Sequence, residues 1–207
     1  MIVEIADLNL KLTARPAGPN SVAEAAMHDI ESQPGKLVAC WRPEFGPFSH
    51  LLLIRTFEDA GEWYSERRRI STSSNPFGCG DDLIDLSFEA YEPYDGFEFP
   101  VGSVGPFFEM RSYKVKPGGF HPLRPEWTAI KPERDRFSLT MMVMGSLDGS
   151  SRAVSIWPYQ TLEQRADIRA KVFAECKGWP TPSGIHFFDP ARMISNLYMP
   201  VPGSPLF

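Results

Sequence analysis

The clearest pattern in the chain is an apolar stripe with helical spacing after Thr161. Leu162, Ala166, Ala170 and Phe173 share one face, and Glu163, Asp167 and Lys171 share the other. Thr161 stands at the N-cap position, so the spacing predicts a surface helix packed on a sheet. An earlier segment shows a similar signal: Ser21 and Glu24 are spaced as a capping box, with Val22, Ala26 and Ile30 on one face and Asn20 as the other candidate cap. Leu123, Trp127 and Ile130 also keep helical spacing, but Pro122, Pro125 and Pro132 limit that predicted helix to two or three turns. The runs at 37–41, 51–54 and 139–144 are almost continuously apolar and read as strands.

These elements occur twice. Phe57-Glu58-Asp59-Ala60-Gly61-Glu62 and Tyr159-Gln160-Thr161-Leu162-Glu163-Gln164 show the same sequence of residue types at a separation of 159 − 57 = 102. The same offset pairs residues 37–41 with 139–143, residues 51–54 with 153–156, and Arg67 with Arg169. With small length changes, Val3-Glu4-Ile5 matches Phe108-Glu109-Met110, and Tyr91-Glu92-Pro93 matches Tyr198-Met199-Pro200. The stretch 95–105, with three glycines and a proline, reads as the linker. The expected domains are therefore 1–97 and 105–207.

Each copy reads as strand, helix, strand, strand, helix, strand, the ferredoxin-like βαββαβ unit with both helices on one face of an antiparallel sheet. A sheet with its other face in water would alternate apolar and polar residues, and the central strands do not. Both faces are therefore expected to be covered. The fold class is α+β, with two ferredoxin-like repeats whose sheets pack face to face as an α/β barrel. The barrel closes either within one chain, as an intramolecular pseudo-dimer, or between chains, as a homodimer.

Composition narrows the function. A net charge of −5 in 207 residues argues against a nucleic-acid surface, which needs clustered cations. No run reaches the roughly 18 apolar residues of a membrane span. The first residues, Met1-Ile2-Val3-Glu4, carry an acid at once and do not read as a signal peptide. Cys40, Cys79 and Cys176 are widely spaced, which fits reduced thiols and a cytoplasmic protein.

The stretch Phe107-Phe108-Glu109-Met110-Arg111-Ser112-Tyr113-Lys114-Val115-Lys116-Pro117-Gly118 resembles the opening strand of the NIPSNAP family, in which an aromatic-Glu-x-Arg-x-Tyr pattern runs into Lys-Pro-Gly. Residues 156–169, with Trp157, Tyr159 and the paired Arg165 and Arg169, resemble that family's strand-to-helix segment. The first copy is similar more loosely, with Trp63 at the position of Arg165 and no Arg-x-Tyr after Glu4. The resemblance implies a dimeric-type α/β barrel and leaves the biochemical activity undefined.

Strand parity supplies candidate site residues. If Phe108 and Met110 meet the helices, then Glu109, Arg111 and Tyr113 point into the barrel, joined by Ser155, Trp157 and Arg55. A carboxylate, a guanidinium, a phenol and an indole in one cavity suit a small aromatic or acidic ligand. The alternative is that Glu109 and Arg111 are paired buried charges.

His28, His50, His121 and His186 form no metal-ligating spacing, so neither a metal nor a cofactor is assigned. His50, at the start of a central strand, is the best candidate for haem or proton transfer. Arg67-Arg68-Arg69 reads as a solvated helix end. Cys79, between glycines, reads as an exposed thiol. No catalytic residue is assigned. The expected function is binding of a small molecule or a protein partner. The alternative is a cofactor-free or haem-dependent oxidoreductase of monooxygenase type, or an isomerase.

Overall fold

The computed structural model of the protein describes residues 1–12 and 19–207. The first repeat contains β1 (Ile2–Leu10), α1 (Pro19–Glu31), β2 (Lys36–Phe45), β3 (His50–Phe57), α2 (Ala60–Thr72) and β4 (Leu83–Pro93). The second contains β5 (Phe107–Val115), α3 (Phe120–Asp135), β6 (Met142–Ser146), β7 (Arg152–Tyr159), α4 (Leu162–Glu175), the short α5 (Pro182–Phe187) and β8 (Phe188–Pro200). Each repeat has the expected order. The hydrogen-bonded strand order, β1-β3-β2-β8-β5-β7-β6-β4, is that of a closed barrel, with all eight strands from one chain.

The chain divides into two compact units, residues 1–90 with 199–207, and residues 91–198. In the first, β3 lies between β1 and β2, with Glu4 directly opposite Arg55. In the second, β5 lies between β7 and β8, with Glu109 opposite Trp157 and Arg111 opposite both Ser155 and Ser195. Residues 91–93 of β4 pair with β6 inside the second unit. The C-terminal segment belongs to the first unit, where the Val201 N–H donates to the Cys40 carbonyl.

The helix-covered core of the first unit contains Ala6, Leu8, Val22, Ala26, Ile30, Leu51, Leu53, Ile70 and Phe77. By alternation, Val3, Ile5, Leu52 and Ile54 face the other way, and they are buried too. In the second unit Phe108, Val154 and Ile156 do the same. Continuous apolar strands do report two covered faces.

Three helices differ in detail from the expectation. α1 has begun by Pro19, so Asn20 and Ser21 lie inside its first turn, and the cap position falls outside the described residues. α3 runs 16 residues despite its prolines, because Pro122 falls in the first turn, where the N–H has no intrahelical partner anyway, and buried Leu123 and Trp127 anchor it. On α4 the buried stripe is Ile168 and Val172, with Arg165 and Arg169 half-buried beside them. Leu162 and Phe173 are exposed, Phe173 by 65%. The reason lies in the site those arginines serve. Among the described residues no helix is long and apolar enough to cross a membrane.

Candidate functional site

Each repeat places one fully buried carboxylate on its first strand, under the second helix. In the first repeat this is Glu4. Arg55 donates to one carboxylate oxygen, and Trp63 Nε1 (3.0 Å) and Arg67 Nε (2.7 Å) donate to the other. Arg55 also donates to buried Glu66 (2.7 Å), and Arg69 bridges Glu66 and Asp29, each at 2.7 Å. Three guanidiniums therefore meet three carboxylates. This buried ionic network is balanced in charge, while its Arg55 Nε has no acceptor among the described residues.

The second repeat keeps the carboxylate and changes its surroundings. Glu109 accepts from Arg111 (2.7 Å), Tyr159 (3.3 Å), Arg165 (2.6 Å), Arg169 (3.2 Å) and Ser195 (2.6 Å). Burial alone would raise its pKa, but the hydrogen bonds from Arg111 and Arg165 and the charge of Arg111 outweigh that and lower it to about 2. Glu109 is a fixed anion at neutral pH. Burial pushes the Tyr159 phenol upward, so it stays protonated and donates.

Beside this carboxylate stands an aromatic box. Trp157 lies 6.2 Å, centroid to centroid, from both Trp127 and Trp179, and its Nε1 donates to Ser155 Oγ at 2.9 Å. The Arg111 guanidinium sits 5.2 Å from the Trp157 ring and that of Arg134 sits 4.3 Å from it, both within cation–π range. Arg134 is 1% exposed, and its guanidinium donates, among the described residues, only to Ser138, through Oγ at 2.9 Å and the carbonyl at 3.5 Å. The neighbouring Asp135 is engaged with Lys131 and the Thr140 N–H. Burial and the charge of Arg111 press the Arg134 pKa down from its usual range.

The cluster thus sets three guanidiniums, on Arg111, Arg165 and Arg169, on the one carboxylate of Glu109, with the guanidinium of Arg134 against the Trp157 ring. Three of its buried donors, Arg111 Nε, Arg134 Nε and Trp127 Nε1, have no acceptor among the described residues. Buried donors of this kind cost stability unless something accepts from them. A cavity of about 260 Å3 borders the cluster through Ser138, with Pro158, Gln164 and Ile168 in its lining.

The parity expectation is reversed. Glu109 and Arg55 bond to residues of α4 and α2, and Trp157 packs on α3, so these side chains face the helices and not the barrel interior. Apolar Phe108 and Met110 take the opposite face because paired charges fill the helix-covered one. Tyr113 lies on the same side as Arg111, edge-on to Phe188 at 5.0 Å, outside the set that binds Glu109. His50 is elsewhere, in the first unit, with its Nδ1 2.7 Å from Asp7.

Two other expectations fail. Arg67 and Arg69 are ion-paired and only Arg68 is exposed, so the arginine run is not a solvated helix end. Cys79 is 1% exposed, because the turn around Phe77 folds it into the core with its Sγ toward the Pro76 carbonyl. Arg134, Trp127, Trp179 and Ser195 escaped sequence reasoning. The partners on α4 carried a signal: the offset of 102 aligns Arg169 with Arg67 and Arg165 with Trp63, and all four donate to the equivalent carboxylates.

No curated protein shows sequence similarity to the chain. Among solved structures it is similar to a protein of Fusobacterium nucleatum described as a candidate monooxygenase, at 10% identity and TM-score 0.65, over 97% of this chain and 92% of the other. A protein of Lactobacillus acidophilus with the same description matches at 12% identity and TM-score 0.64, over 98% and 97%. Identities this low show the shared fold. A NIPSNAP-like domain protein of Burkholderia xenovorans matches at 24% identity and TM-score 0.42, over 48% of this chain and 88% of the other. The NIPSNAP family model matches residues 108–205. That match spans the strand carrying Glu109 and Arg111, the helix carrying Arg165 and Arg169, and the strand carrying Ser195, so the second repeat of this chain is similar to a NIPSNAP domain.

Proposed function

We propose that the protein is a binding protein whose second repeat holds a small aromatic carboxylate at the Arg111–Arg134–Trp157 cluster, while the first repeat, within residues 1–97, serves as its structural counterpart. The observation that supports this reading is the charge imbalance between equivalent sites, with three cations against three anions in the first repeat and, in the second, three cations on the one carboxylate of Glu109 beside a buried Arg134 that forms no ion pair among the described residues. A carboxylate ligand would accept from Arg134 Nε, Arg111 Nε and Trp127 Nε1, and its ring would find the indoles of Trp127, Trp157 and Trp179. The 260 Å3 cavity at Ser138 supplies an approach to Arg134. An enzymatic role as an oxidoreductase or isomerase has less support, because a carboxylate held at about 2 is a poor general base.

The test is tryptophan fluorescence during titration with sodium benzoate, with neutral benzamide as comparator. Benzoate should give a saturable change and benzamide a weaker one. Arg134→Met should weaken benzoate binding at least about tenfold while leaving the fold at least as stable, since it removes a buried cation that forms no ion pair among the described residues. A benzoate response that is absent, or unchanged in Arg134→Met, would refute the assignment.

A further inference from the structure

The cavity that borders the tryptophan cluster at Ser138 continues beyond it. Val104, Leu139, Pro158 and Ile168 give it apolar walls, and Phe137 and Ile168 also line a second cavity of about 490 Å3, together with Arg136, Lys171 and Glu175. Two side chains are common to both, so the two cavities adjoin as one trough. The α4 residues in it, Gln164, Ile168, Lys171 and Glu175, recur at intervals of four, three and four, which puts them in one stripe along the helix. Eleven residues of helix span about 16 Å. The trough therefore runs along α4, away from Ser138.

The second helix of the first repeat is built differently along the same stripe. The offset of 102 that aligns Arg67 with Arg169 places Glu66 at Ile168 and Arg69 at Lys171. Arg69 donates to Glu66 at 2.7 Å, and Glu66 also accepts from Arg55. Their counterparts on α4 form no such pair: Ile168 is apolar, and Lys171 has no hydrogen-bond or ion-pair partner among the described residues. An ion-paired surface on α2 thus corresponds to an apolar floor on α4, in the repeat that also carries the ligand cluster. Leu139 in the trough wall is 41% exposed, apolar surface that leaves water when an apolar group lies against it.

We infer that the trough holds an aliphatic chain carried by the aromatic carboxylate, so that the ligands are alkyl-substituted aryl carboxylates. This rests on the binding reading above. Ser138 joins the two parts of the site, since its Oγ accepts from Arg134 at 2.9 Å while the residue lines the trough. A carboxylate at Arg134 with a chain over Ile168 and Leu139 sets charge against charge and apolar surface against apolar surface. The far end is mixed in sign, with Arg136 held by Glu133 and Lys171 set beside Glu175, and so gives no net preference for a second charged group. A fully buried methylene contributes roughly fourfold in affinity, which makes chain length the natural variable.

Tryptophan fluorescence titration of the full chain with 4-butylbenzoate, beside benzoate, tests this. 4-Butylbenzoate should bind at least about tenfold more tightly, a fraction of what four fully buried carbons would give, because the trough is a groove and not an enclosed pocket. Leu139→Gln should cut the ratio of the two affinities at least about threefold. As a substitution of a part-exposed side chain it should lower the melting temperature by no more than about 2 °C. A smaller ratio in the wild type, with benzoate bound, would overturn the inference and leave the carboxylate site standing. So would a ratio that Leu139→Gln leaves unchanged. Binding of 4-butylbenzoate that Leu139→Gln weakens and Arg134→Met does not would uphold the trough and refute the carboxylate site. Absence of binding by either compound would overturn both.

Discussion

Glu4 and Glu109 occupy equivalent positions under the second helix of each repeat, and both are fully buried, but removing their charge leaves different residues behind. Without Glu4, Arg55 still holds Glu66, and Arg69 still holds Glu66 and Asp29. Without Glu109, no carboxylate among the described residues pairs with Arg111, Arg165 or Arg169. Breaking a buried pair by removing one partner costs about 3–5 kcal/mol. Glu109→Gln should reach that range in urea denaturation at pH 7, and Glu4→Gln should cost less. The pH dependence separates this charge effect from lost packing. Glu109 titrates at about 2 in the folded protein, below its value in the unfolded chain, so the stability it contributes is present above about pH 4.3 and is lost as the pH falls toward 2. The gap between wild type and Glu109→Gln should therefore close by about 3 kcal/mol over that interval. A constant gap would assign the effect to packing. That Glu109 and Arg111 would be buried charges was legible in the sequence. Which way they point was not, because the parity argument assumed that apolar residues always take the helix-covered face.

The same buried carboxylate decides how α4 sits. An amphipathic reading turns Leu162, Ala166, Ala170 and Phe173 inward, but Arg165 and Arg169 must reach Glu109, and this rotates Ile168 and Val172 into the buried stripe. The residues that decide the rotation are four apart, on one face of the helix. Sequence alone ranks an arginine as a surface residue, so the helix was legible with its Thr161 cap while its orientation was not. Substitutions distinguish the two orientations. Ile168→Ala should cost about 2 kcal/mol, as burial of a branched aliphatic side chain implies. Phe173→Ser should stay within about 0.5 kcal/mol, because a solvent-facing ring has little packing to lose. Urea midpoints for the pair check this, and the reverse ranking would restore the amphipathic reading. The length of α3 escaped prediction for a related reason: proline rules describe local backbone cost, whereas buried Leu123 and Trp127 hold this helix through tertiary contacts.

At the scale of the whole molecule, the offset of 102 made the two repeats legible before any element was assigned, because both copies preserve residue type at matching positions. Strand exchange was hidden, since which strands pair is set by contacts far apart in sequence. β4 begins in the first compact unit and ends in the second, and the chain returns through β8 so that residues 199–207 complete the first unit. That return is well anchored. Val201 and Leu206 are buried, the Ser204 hydroxyl accepts from the Cys40 N–H at 3.0 Å, and Trp41 Nε1 donates to the Leu206 carbonyl at 3.2 Å. Burial of two aliphatic side chains contributes about 1.5–3 kcal/mol each, and each hydrogen bond about 1 kcal/mol. Removing residues 201–207 should therefore cost on the order of 5 kcal/mol, comparable to the entire stability of a marginal domain. The truncated chain should melt far below the parent, and the Trp41 indole, buried in the intact chain, should become accessible to acrylamide quenching. If truncation leaves both the melting temperature and the quenching unchanged, then residues 1–97 fold without this segment, and the repeat boundary in the sequence is also the boundary of folding.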